Sequence, residues 1–207
     1  MQDTSTFPFR FRASAWIVAL AGVMAIFLAR GASAEPASLN FELVRSAGVA
    51  TCLSQARGNV RLTSHGANQQ MEVNVSGLPA NNTFTVFILQ LPHSPFGMSW
   101  YQGDVVTNRQ GEGHAKFDGI FSDETFVVAP NVGAAPAVHP QDAISNPATA
   151  PVHTFHVGLW FDSVAEATAA NCSGNPTPFN GDHTAGVQVL NTTNFPDDDG
   201  PLGQFGR

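Results

Sequence analysis

The chain has 207 residues, with Lys and Arg numbering 9 against 16 Asp and Glu, a net charge of −7, and 43% hydrophobic against 12% charged residues. That apolar share excludes a disordered polyelectrolyte, and the negative balance argues against a phosphate-backbone partner, so no nucleic acid is expected. The length suits one domain with a sizeable core and is short for two.

The first segment reads as an export signal. Arg10 and Arg12 precede an apolar stretch from Ala13 to Ala29 that only Ser14 interrupts, and Ala32-Ser33-Ala34 supplies small residues ahead of Glu35. A positive start, an apolar middle and a small-residue cleavage site are the marks of a signal peptide, here residues 1–34. An uncleaved anchor is the competing reading, but the apolar stretch lies at the lower limit for a spanning helix. Cleavage removes Arg10, Arg12, Arg30 and Asp3, which shifts the net charge from −7 to −9. The product expected is residues 35–207, a single domain that is secreted, or periplasmic where the host envelope holds it, with no membrane insertion after cleavage.

In the exported part, Cys52 and Cys172 are expected to pair, because oxidising compartments make a disulfide the default for two cysteines without a CxxC spacing. From residue 58 onward the hydrophobic period is two. Val60 and Leu62 alternate with polar neighbours, as do Met71, Val73 and Val75, and the Ser64–Asn68 stretch between them has the Gly and Asn of a hairpin loop. Residues 83–91 are apolar on both faces, which predicts a central strand. A second hairpin is predicted from Tyr101 to Asp118 around Asn108–Gly113. Further strands are expected at 126–128, at 152–163 and at 185–190. Ser163 with Glu166 three positions later has the pattern of a capped helix of one or two turns through Ala170.

These elements predict an all-β domain, an antiparallel two-sheet β-sandwich of Greek-key or immunoglobulin-like type with one short helix. Residues 129–151 form a long Pro/Ala-rich loop carrying Pro130, Pro136, Pro140, Pro147 and Pro151. Residues 192–207 are expected to be a loosely ordered tail.

Chemistry is less clearly written. No GxSxG, HExxH or P-loop motif is present, so no catalytic residue is assigned and enzymatic activity is not expected. Asp104, Asp118, Asp123 and Glu124 could in principle supply a carboxylate pair, but acids at hairpin ends are ordinarily solvated. Phe96, Trp100 and Tyr101 lie in or beside a Pro/Gly loop, and period two places Trp160 on the polar face of its strand; exposed rings of this kind would bind an apolar or sugar ring. The competing reading packs these rings at the sandwich edge. Asn74, Asn81, Asn171 and Asn191 head formal glycosylation sequons. His153 and His156 point to opposite faces of one strand, the first to the apolar side. His156 and Asp162, joined by Asp182 and His183, form the candidate ligand set for zinc or copper, and Asp197-Asp198-Asp199 a candidate calcium cluster without the spacing of an EF-hand.

The run Val73-Asn74-Val75-Ser76-Gly77-Leu78-Pro79, followed by Phe84-Thr85-Val86, Gly103-Asp104 and Gly111-Glu112-Gly113, resembles the strand-turn rhythm of secreted CHRD-type domains and copper-zinc superoxide dismutases. The resemblance covers residues 58–121 and implies a β-sandwich. The dismutases carry an H-x-H pair of copper ligands on the strand that here reads Thr83-Phe84-Thr85-Val86-Phe87-Ile88, so no metal residue carries over. The expectation is therefore an exported binding or surface-interaction protein of non-enzymatic type, working through loops 92–101 and 129–151 on a cell-surface protein or glycan, with no cofactor. The alternative is a secreted metal-binding protein or metal-dependent enzyme.

Overall fold

The computed structural model describes residues 37–122, 153–177 and 186–206. The strand predicted at 126–128, the Pro/Ala-rich loop, Asp123, Glu124, Asp182 and His183 lie outside them.

The described residues form eight antiparallel strands: β1 (Ser38–Arg45), β2 (Arg57–His65), β3 (Asn68–Ser76), β4 (Thr83–Leu89), β5 (Ser99–Val106), β6 (Gly113–Gly119), β7 (His156–Phe161) and β8 (Gln188–Asn191). Helix α1 (Val164–Ala169) follows β7, and the Ser163 side chain accepts a hydrogen bond from the Glu166 backbone N–H, as the capping pattern predicts. β1 was not foreseen, although Leu39, Phe41 and Leu43 alternate with Asn40 and Glu42 along it.

The strands join in the order β5-β4-β7-β8-β1-β2-β3-β6 as one continuous sheet, where two separate sheets were expected. The physical reason lies in β1. Its first six residues pair with β2, from Ser38 opposite Thr63 to Leu43 opposite Gly58, and its last two, Val44 and Arg45, turn to pair with Asn191 and Leu190 of β8. One strand thus belongs to both halves. The far ends of the order, β5 and β6, come together at a bridge between Thr107 and Gly113, and Phe117 of β6 packs on Gly103 of β5. The sheet curls into a nearly closed barrel.

Alternation then sorts the side chains. Val60, Leu62, Met71, Val73, Phe84 and Leu159 fill the interior at full burial. β4 is buried on both faces, as predicted for a central strand. Its outward residues Phe87 and Leu89 join Trp160 and Phe96 in a second, smaller apolar cluster outside the barrel wall. Opposite, the outer face of β1-β2-β3-β6 is polar. The Cys52–Cys172 disulfide, with Cα atoms 5.5 Å apart, ties the segment after β1 to the end of α1.

The predicted loose tail is instead packed. Leu202 is fully buried in a short 3-10 turn (Pro201–Gln204), its N–H bonded to the Phe155 carbonyl at 3.1 Å, and Phe195 meets Phe41 edge to face at 6.0 Å. Its apolar residues, scattered among aspartates in the sequence, find partners only through tertiary contact.

Candidate functional site

The four aromatic residues proposed as ligand-binding do not form an exposed platform. Trp160 is fully buried and Phe96 nearly so; their rings meet at 5.4 Å, and Phe87 stands 5.4 Å from Trp160 and 6.2 Å from Tyr101. Trp160 does point to the outer face, as period two requires, but loop 90–98 folds over that face. Gln90 bonds to Met98 through both its backbone N–H (2.7 Å) and its side-chain oxygen (3.1 Å), and Phe96, at φ +60°, is laid on the indole. Trp100 turns inward against the main core, its indole N–H donating to Gln102, and Tyr101 alone of the four is exposed. The Tyr101 phenol is pushed above its usual range by burial of the ring and by the neighbouring Asp104.

The metal alternative fares no better within the described residues. His156 and Asp162 stand at the two ends of β7 and its exit, about 20 Å apart at the rise of an extended strand. The Asp162 carboxylate accepts from Thr85 Oγ1 at 3.1 Å. His156, expected outward with His153 as the core residue, is the buried one, while His153 is exposed beside Phe155. The His156 ring lies between Thr192 Oγ1 (2.9 Å from Nδ1) and the Asp197 carbonyl (3.2 Å from Nε2). Burial holds its pKa below the usual imidazole value. Asp197 turns its carboxylate to His93, and Gln204 donates to Asp199. Among the described residues no group of three or more His, Cys, Asp or Glu is placed to hold a metal ion.

What the structure does assemble is a groove that sequence reasoning missed. Pairing aligns Glu42, Asn59, Asn74 and His114 in one row across β1, β2, β3 and β6. The rows beyond it read Asn40-Arg61-Glu72-Lys116 and Ser38-Thr63-Gln70-Asp118, so the outer face is a grid of polar side chains. Glu72 bonds to Lys116, which lowers the carboxyl's pKa. At the first row the face dips into an open cleft of about 620 Å³, where Arg57, Asn108, Glu112 and Val106 complete the walls.

The wall formed by the β5–β6 turn is rigid. Asn108 Oδ1 accepts from the N–H groups of Gln110 (2.8 Å) and Glu112 (3.0 Å), and Asn108 Nδ2 donates to Glu112 Oε2. Thr107 Oγ1 donates to the Pro79 carbonyl at 2.6 Å and accepts from the Asn82 N–H at 3.0 Å, tying the turn to residues 79–82. Gly111, at φ +74°, packs so closely on Leu78 that a Cβ would come within 2.0 Å of its carbonyl oxygen.

Hydrogen bonding inside the groove leaves one side of each group open. Asn59 Nδ2 donates to the Phe41 carbonyl and to Glu42 Oε1, and His114 Nδ1 donates to Asn74 Oδ1 at 2.8 Å, which leaves Nε2 as an acceptor in the neutral ring. Among the described residues the Arg57 guanidinium has neither hydrogen bond nor ion pair. Such a site can bind and orient a polar ligand. Compared with family profiles, curated proteins and solved structures, the chain matches none.

Proposed function

We propose that the protein is an exported binding domain of non-enzymatic, surface-interaction type, and that it engages its partner in the groove between β1 and the β5–β6 turn. One observation carries the reading: an uncommitted Arg57 guanidinium stands in a rigid cleft among carboxylates and amides that each keep an open hydrogen-bonding position. Preorganised polar groups cost little to order on binding, which is how a shallow site gains affinity. Export is supported by the leader-like first segment and by the Cys52–Cys172 disulfide; no helix among the described residues is long and apolar enough to cross a membrane. The fold implied by the CHRD-type resemblance is proposed with it. The bridge between Thr107 and Gly113 brings β6 beside β5, and the resulting succession β7-β4-β5-β6 supports a Greek-key reading of that fold.

The test is adhesion of the purified chain to intact cells and cell-envelope material. Arg57→Ala and Glu112→Gln should weaken it about tenfold or more, the loss expected for a charge-assisted hydrogen bond, while Asp118→Asn, on the same face outside the groove, leaves it unchanged. Equal adhesion by all three variants overturns the groove as the site.

A further inference from the structure

The groove's chemistry narrows the partner further, on the footing that the groove is the binding site. Its lining combines acceptor-only carboxylates (Glu42, Glu112), a donor-only guanidinium (Arg57), and groups that do both (Asn59, Asn74, His114). A simple anion would meet Arg57 but face two carboxylates, and a simple cation would meet the carboxylates but face Arg57. A hydroxyl donates once and accepts twice, so it is served at once by a carboxylate on one side and a guanidinium or amide on the other. The Arg57 guanidinium and the Glu42 and Glu112 carboxylates each end in a plane with paired hydrogen-bonding atoms, a geometry that suits two hydroxyls on neighbouring ring carbons, while Asn59, Asn74 and His114 each keep one position open beside them.

Shape agrees with composition. The row Glu42-Asn59-Asn74-His114 crosses four strands about 4.8 Å apart, a span of about 14 Å that suits a short chain of rings rather than one. Val106, 62% exposed, offers the groove an apolar side against which the C–H face of a ring can lie. We infer that the groove takes a neutral, hydroxyl-rich oligosaccharide, laid across the strands with its hydroxyls on the planar side chains.

The experiment titrates the purified chain with a panel of defined neutral di- to hexasaccharides and with sulfated and uronic-acid oligosaccharides of matched length, by calorimetry, alongside the adhesion assay. Circular dichroism and urea midpoints confirm that each variant is folded. The expected result is salt-insensitive binding of a neutral oligosaccharide, at least tenfold weaker in Arg57→Ala and in Glu112→Gln and unchanged in Asp118→Asn. Binding confined to the acidic oligosaccharides and lost on adding salt overturns the neutral class. Adhesion that depends on Arg57 with no oligosaccharide bound overturns the glycan inference and leaves the groove as a site for another partner. Loss of neither adhesion nor binding in the groove variants overturns both.

Discussion

Phe117 lays its ring against the bare backbone of Gly103, so that a Cβ at that position would come within 2.4 Å of the ring edge. Gly103 also holds φ at +153°, an angle that side-chain-bearing residues rarely adopt. The contact joins β5 to β6 where backbone bonding between them is limited to the Thr107–Gly113 bridge. Gly103→Ala should therefore destabilise by about 1 to 3 kcal/mol in urea unfolding. Adding Phe117→Leu should recover part of that loss, because the smaller side chain relieves the clash.

Trp160 and Tyr101 separate packing from exposure. Trp160→Ala removes the ring on which Phe87 and Phe96 both rest and should cost about 3 to 5 kcal/mol. Tyr101→Ala, at a residue 53% exposed, should cost less than about 1 kcal/mol. Similar losses at the two positions, measured by the same unfolding curves, would contradict the cluster as described.

The disulfide closes a loop across a sequence separation of 120. On the chain-entropy account its removal by Cys52→Ser with Cys172→Ser should lower stability by about 4 to 5 kcal/mol. Unfolding under reducing conditions should match the double variant.

Two histidines pull the pH dependence in opposite directions. His156 is buried, and its pKa is depressed below the usual value of about 6.5, so the unfolded state binds the extra proton first and stability falls as pH drops below about 6.5. His93 faces the Ser94 carbonyl and the Asp197 carboxylate, which raise its pKa, so its contribution is complete below about 6.5 and fades as pH rises through the raised value. His93 is half exposed, so the fading is the smaller effect. The urea midpoint should peak near pH 6.5, and His93→Gln should remove the decline on the alkaline side alone. A wild-type midpoint that kept climbing well above that pH would contradict the His93 assignment.

Much of the fold was legible in residue periods. The β2–β3 hairpin, the doubly buried β4 and the Ser163 cap all follow from local rules that the structure obeys. Period two also placed Trp160 and His156 on the outer face correctly. What it could not tell is whether that face is covered, because the cover comes from loop 90–98 and residues 192–204, distant in sequence. β5 shows a different limit: register shifts between Val86 and Phe87, so Trp100 and Gly103 both turn inward and simple alternation fails there. The groove was invisible for a third reason. Its row of Glu42, Asn59, Asn74 and His114 exists only once three strand pairings set their register, and each of these residues alone reads as an ordinary solvated side chain.

The pairing of β1 with β8 has a consequence for the newborn chain. Ser46 and Asn191, bonded at 2.9 Å, are 145 positions apart, and Cys52 likewise waits for a partner far downstream. During synthesis β1, β2 and β3 emerge with one thiol unpaired and the β1 edge open; the thiol waits for Cys172 and the edge for residues 188–191. Contacts of such range make folding slow and late. A chain built this way cannot close its sheet until almost all of it is available, so the early strands and the final one become stable together rather than in turn.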